Sequence, residues 1–168
     1  MEKKEPDLNT IYRNVIIQYK KIVKSIQKSE LDDFLNRKDV VMFKESPEIY
    51  SQLRSMRGNI AAMTGDFARV EKEYKLGFLH CPSTTRLEYL FDWTNAYWLL
   101  FERTKSGELR KQTGNRILEK VKGIQGELGA VPNKELYRLA LAGMAAFIHT
   151  YFGENQAALD GFFTSFRF

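Results

Sequence analysis

One segment of the sequence restricts the possible folds more than any other. Residues 86–103 read RLEYLFDWTNAYWLLFER, and helical periodicity gives this segment apolar or aromatic side chains on almost every side. A helix that is hydrophobic all round must be covered by other elements over most of its surface, so it belongs at the centre of a bundle. The sequence therefore predicts several surrounding helices.

Most of the remaining sequence has the pattern expected of those surrounding helices. Apolar residues recur at spacings of three and four in residues 7–29, 45–63, 106–125 and 134–152, and no segment alternates apolar and polar residues as a strand does. A break is expected at Gly65–Asp66, and Gly153 is expected to end the last long helix. The prediction is an all-α, single-domain bundle of about five or six helices over residues 1–153, with an aromatic-rich tail over residues 154–168.

The charge pattern favours a phosphate-bearing partner. The formal net charge is +5 and the isoelectric point about 9.2. Basic side chains also recur on predicted helix faces, where they are able to follow a phosphate backbone without reading bases. Salt-bridged, solvated side chains are the alternative interpretation. The candidate nucleic-acid contacts are Arg54, Arg57, Arg69, Lys72, Lys120 and Lys122.

No pattern in the sequence predicts an enzyme, a metal site or a bound cofactor. The chain has one cysteine, Cys81, and two histidines, too few at workable spacing for a zinc site. Glu71 and Glu73 fall in a segment of mixed charge and are expected to be solvated. The single cysteine and the absence of a signal-like or membrane-spanning apolar segment lead to the expectation of a cytoplasmic protein that does not contact a membrane.

The C-terminal residues carry a recognisable short pattern. Gln156, Leu159, Phe162 and Phe163 follow the order Q-x-x-L-x-x-F-F, which resembles the PCNA-interacting peptide of replication and repair proteins. The resemblance implies that the aliphatic residue and the two aromatic residues fill a pocket of the sliding clamp. The alternatives are that these phenylalanines fold back on their own bundle or pair with another subunit.

The body of the chain has a second resemblance. Residues 49–63, 86–103, 117–125 and 136–153 are similar, in order and rough spacing, to the helices of the small subunit of the Csm-type (type III-A) CRISPR effector complex. This resemblance implies a small, basic, all-helical and non-catalytic subunit that stacks in several copies beside the crRNA-bound backbone and helps to hold target RNA. The chain departs from that family at Phe101–Arg103, where the family has Gly-Arg-Glu. The matching positions are Gln52, Leu53, Arg54, Leu87, Tyr89, Leu90, Leu118, Glu119, Lys120, Tyr151, Phe152 and Gly153.

These patterns lead to one expected function and two alternatives. The expectation is an RNA-binding structural subunit of a CRISPR ribonucleoprotein in antiviral defence, whose partners are guide or target RNA and the other subunits. The first alternative is a clamp-binding accessory factor of DNA replication or repair. The second is a helical homo-oligomer whose aromatic tail packs on a neighbouring copy.

Overall fold

All regular structure in the described part of the chain is helical. The computed structural model describes residues 7–25, 28–105, 107–128 and 134–165, so the predicted all-α bundle is confirmed. None of the helices in these ranges is long and apolar enough to cross a membrane. The α-helices are α1 (Leu8–Ser25), α2 (Lys28–Leu35), α3 (Lys38–Val41), α4 (Pro47–Met63), α5 (Phe67–Phe78), α6 (Arg86–Arg103), α7 (Gly107–Glu127), α8 (Lys134–Tyr151) and α9 (Asn155–Ser165).

The described ranges contain more helices than the five or six that the sequence pattern predicts. Two short 3-10 helices, Met42–Glu45 and Ser83–Thr85, precede α4 and α6. The four residues of α3 are too few for a periodic apolar pattern, and α9 lies within the predicted tail. The additional helices are therefore mainly short elements that connect or cover the long ones.

Helix α6 lies at the centre of the bundle, as its composition predicts. It contacts α4, α5 and α7. Aromatic residues of α8 cover a further side, where the ring centroids of Trp98 and Phe147 are 5.2 Å apart and those of Phe101 and Tyr151 are 5.0 Å apart. The buried residues of α6 are Tyr89, Leu90, Trp93, Thr94, Ala96, Tyr97, Leu100 and Phe101.

The apolar core has two parts, and α4 contributes to both. The larger part joins the C-terminal end of α4 to α5, α6, α7 and α8. The smaller part, the N-terminal core, lies between α4 and the helices that precede it. Its buried members are Val15, Phe34, Leu35, Val40, Phe43, Leu53, Met56 and Ile60.

The predicted break between α4 and α5 is a tight turn. Gly65 has φ +77°, a left-handed conformation that glycine adopts without steric cost. The N–H of Asp66 reaches back to the carbonyl oxygen of Ala61 at 2.8 Å, as in a Schellman motif. The Asp66 carboxylate then accepts a hydrogen bond of 3.0 Å from the backbone N–H of Arg69 and so caps the N-terminus of α5. This turn folds α5 back along α4.

The first part of the predicted tail is helical. Gly153, with φ +78°, ends α8 as the sequence predicts, and α9 follows and packs on α8. Ala158 of α9 is buried, with 7% of its surface exposed. Phe166 and Phe168 lie outside the described residues. Residues 155–165 therefore form part of the folded chain instead of extending from it.

Candidate nucleic-acid interface

A buried carboxylate joins α4 to α5. The Glu73 side chain is only 5% exposed, and its Oε2 atom accepts a hydrogen bond of 2.6 Å from Nη1 of Arg54. The Nε atom of Arg57 lies 3.5 Å from Oε1 of the same carboxylate. Glu73 is therefore not solvated, which corrects the sequence-based expectation. The sequence does contain a signal for the burial of Glu73: helical periodicity places it beside the buried residues Val70, Tyr74 and Gly77.

The contact with Glu73 also determines the position and the charge of Arg54. Its guanidinium carbon lies 4.9 Å from the centre of the Tyr50 ring. Burial alone would lower the pKa of Arg54, but hydrogen bonds and charge interactions with Glu73 and Tyr50 outweigh burial and raise that pKa. Arg54 is therefore a fixed, fully charged group.

A second carboxylate joins α5 to α7. Glu71 lies 2.8 Å from Nζ of Lys75 and 3.1 Å from Nε of Arg116, and it also accepts a hydrogen bond from the Tyr97 hydroxyl. Burial acts to raise the pKa of Glu71, but Lys75, Tyr97 and Arg116 outweigh it and lower that pKa. Arg116 also lies 2.7 Å from Glu119. Nothing in the sequence pattern indicates that Arg116 contacts Glu71, because Glu71 lies on another helix.

Lys120 combines charge with an aromatic contact. Its Nζ atom lies 3.4 Å from the centre of the Trp93 ring, a cation–π geometry. Burial lowers the pKa of Lys120, and the nearby carboxylates of Glu71 and Glu119 partly oppose that change. Lys120 is therefore a half-buried cation fixed on the central helix.

The predicted basic residues divide into four groups. Arg54 and Arg57 meet at Glu73, whereas Lys120 lies on Trp93, near Glu71. Arg69 and Lys72 lie on α5 between these groups, with Lys72 exposed. Lys122 is exposed on α7, and no contact joins it to the others among the described residues. We define the α5 basic surface as Arg54, Arg57, Arg69, Lys72, Lys75, Arg116 and Lys120, together with the carboxylates of Glu71, Glu73 and Glu119.

The predicted clamp-binding residues lie on α9. Nε2 of Gln156 donates a hydrogen bond of 2.8 Å to Oδ1 of Asp160. Leu159 and Phe163 are 50% and 62% exposed and follow one another by one helical turn. The side chain of Phe162 lies outside the described residues. At least two of the predicted docking side chains therefore face solvent on one side of α9.

A polar cavity of about 270 Å³ lies between α1, α4 and α6. Tyr19, Asn59, Glu88 and Asp92 are among the residues that line it. Burial, with a smaller contribution from the neighbouring Glu88, raises the pKa of Asp92. Two carboxylates make the cavity unsuitable for phosphate. In the described ranges, no three His, Cys, Asp or Glu side chains are grouped as metal ligands would be.

Comparisons of the chain with protein-family models, curated proteins and solved structures found no significant match in any of the three.

Proposed function

We propose that this protein is a non-catalytic RNA-binding structural subunit of a ribonucleoprotein and that the α5 basic surface contacts the RNA backbone. One observation carries the proposal: seven basic side chains and four carboxylates, those of Asp66, Glu71, Glu73 and Glu119, lie on or beside α5. Two of those carboxylates, Glu71 and Glu73, are largely buried, with side chains 13% and 5% exposed. The exposed part of this surface is therefore mainly cationic.

The arrangement suits phosphate contacts more than base recognition. A guanidinium has five donors, so Arg54 keeps N–H groups beyond the one that Glu73 accepts. The buried glutamates hold the arginines in place, which reduces the conformational entropy lost on binding. Contacts of this kind gain affinity from counterion release and carry no base information.

The resemblance to the Csm-type small subunit suggests which ribonucleoprotein this is. On that basis we assign the protein to a CRISPR effector complex, where guide or target RNA and the neighbouring subunits are its partners. The all-helical fold and the basic surface support this assignment.

The test compares two pairs of lysine substitutions in the full-length protein. Lys72→Ala with Lys75→Ala removes two exposed charges from the α5 basic surface. Lys105→Ala with Lys111→Ala removes two exposed charges elsewhere, one just before α7 and one near its start. Fluorescence anisotropy with a single-stranded RNA, repeated over a range of salt concentrations, gives the affinity and its salt dependence. The first pair should reduce the slope of log K against log salt by about 1.4, since each single-strand contact contributes about 0.7.

The control pair should leave that slope unchanged. Equal slopes for both variants and the wild-type protein would exclude the α5 basic surface as the RNA site. Charge reversal at Arg54 is unsuitable for this test, because a glutamate there would face buried Glu73 and unfold the protein for reasons unrelated to RNA.

The exposure of Leu159 and Phe163 supports a second candidate function, docking on a sliding clamp through α9. Calorimetry with the full-length protein and a PCNA ring tests it. Leu159→Ala with Phe163→Ala should abolish the binding heat, whereas Leu79→Ala, which removes a leucine that is 77% exposed elsewhere, should not. Absence of heat with the wild-type protein would exclude this function and leave the RNA proposal untouched.

A further inference from the structure

The outer face of α8 is an apolar surface that the other described residues cover only in part. Phe147 packs on Trp98 at one edge, and Tyr151 packs on Phe101 and Arg110. Leu136 and Phe147 are 67% and 51% exposed, and Leu139 and Tyr151 are 37% and 43% exposed. Helical periodicity places all four within one arc of the helix. The α8 outer face consists of these residues and of the exposed Ala140 and Gly143 between them: Leu136, Leu139, Ala140, Gly143, Phe147 and Tyr151.

The centre of this face is open. A Cβ atom added at Gly143 would meet no heavy atom within 4 Å. Ala140 beside it has only a methyl group, whereas larger side chains flank the pair on both sides. Small residues at the centre of a helix face allow the backbone of a second helix to approach closely.

The order of large and small residues along this face is the same in both directions. Leu136, Ala140, Gly143 and Phe147 follow one another at spacings of four, three and four, the periodicity of a coiled-coil seam. An antiparallel second copy of α8 would therefore place its Gly143 opposite Ala140 and its Phe147 opposite Leu136. This self-complementarity is what a two-fold interface requires.

We propose that the α8 outer face is a two-fold interface between two copies of this chain. The four large side chains of this face are between one-third and two-thirds exposed, so together they would bury at most roughly 400 Å² per copy. A standard interface buries about 800 Å² per partner, so the dimer should be weak and dependent on concentration. The adjacent charges, Arg138 and Glu135, lie 3.2 Å apart within each copy and add no repulsion.

The interface is separate from the α5 basic surface, so the dimer does not depend on RNA binding. Light scattering of the full-length protein during size-exclusion chromatography, over a dilution series, measures the mass. The wild-type protein should rise from 19.6 kDa towards twice that mass with concentration. Gly143→Arg should stay monomeric, because a long charged side chain at the centre separates the two helices.

Gly123→Arg is the matched control. Gly123 is also an exposed helical glycine with no heavy atom within 4 Å of an added Cβ, but it lies on α7. This variant should dimerise as the wild-type protein does, and circular dichroism should show that both variants are folded. Leu136→Glu, at the end of the seam, should also be monomeric and provides a second test independent of glycine.

Three results would overturn the proposal. The first is a wild-type protein that remains monomeric at every concentration. The second is a dimer that persists in Gly143→Arg or Leu136→Glu. The third is a dimer that Gly123→Arg disrupts to the same extent as Gly143→Arg, since the loss would then be unrelated to the α8 outer face.

Discussion

At the scale of single residues, Glu73 connects folding with the proposed function. Its carboxylate is nearly inaccessible to water, and Arg54 and Arg57 supply the positive charge that makes its burial possible. An unpaired buried charge costs several kcal/mol. Both arginines therefore stabilise the fold, whatever they bind in addition.

Arg54→Met should lower the free energy of unfolding by about 2–3 kcal/mol, somewhat below the range for a fully buried pair because Arg57 remains near the carboxylate. The double variant, Arg54→Met with Glu73→Gln, should lose less free energy of unfolding than the sum of the losses of the two single variants. Urea denaturation followed by circular dichroism gives the four free energies of the double-mutant cycle. Strict additivity would show that the two side chains do not stabilise each other.

The sequence reveals only part of this arrangement. Helical periodicity correctly puts Arg54 and Arg57 on one face of α4. It does not show that Glu73 faces them, because that contact depends on how the Gly65 turn folds α5 back. Pairings between helices are set by tertiary geometry, which a single-helix pattern does not contain.

Glu71 should make stability depend on pH in the acid range. Its pKa is lower in the folded protein than its ordinary value of 4.5, so its ion pairs stabilise the fold above that pH. The contribution disappears as the pH falls through the lowered pKa. Glu71→Gln should therefore cost about 1 kcal/mol at neutral pH, a value reduced by solvent screening.

The difference between wild type and Glu71→Gln should vanish in strong acid, where both side chains are neutral. Urea denaturation of the two proteins at a series of pH values measures it. A difference that is constant across the series would mean that Glu71 acts through packing or hydrogen bonding instead of charge.

At the scale of helices, glycines determine how closely α4 and α5 approach. A Cβ atom added at buried Gly58 would collide with the ring of Tyr74. That ring is held by its hydroxyl, which lies 2.9 Å from Oδ1 of Asn59 and 3.1 Å from the carbonyl oxygen of Asp92. The ring has little freedom to move aside, so the contact fixes the spacing of the two helices.

Gly58→Ala should lower the free energy of unfolding by about 2 kcal/mol, the usual cost of overpacking. Gly123→Ala, at an open helical position, should raise it by about 0.5–1 kcal/mol, because alanine favours the helix. Urea denaturation distinguishes the two. Similar changes for both would mean that α4 and α5 separate at little cost.

Long helices were predictable from sequence, and the elements around them were not. The apolar segment 86–103 coincides with α6, and the predicted segment 45–63 contains α4. In contrast, α3 is shorter than one apolar repeat. The apolar residues of α9 match a docking peptide, but a short amphipathic pattern does not show whether they pack on their own chain, on another subunit or on a clamp.

At the scale of the whole molecule, the division of the core predicts unequal local stability. Helix α6 has eight buried residues, and four other long helices surround it or pack beside it. In α1, Val15 is the buried side chain in the described part of the helix, and Ile17 is 51% exposed. Separation of α1 from α4 therefore exposes less buried apolar area to water than the uncovering of α6 does.

Amide hydrogen exchange followed by mass spectrometry should show this order directly. Amides of α1, α2 and α3 should exchange through local opening, well before those of α6 and α7, whose exchange requires global unfolding. Val15→Ala removes contacts in the N-terminal core alone, so it should accelerate exchange in α1 to α3 and leave α6 unchanged. If all helices exchange at one rate in both proteins, the two parts of the core unfold as a single cooperative unit, and α4 transmits stability between them.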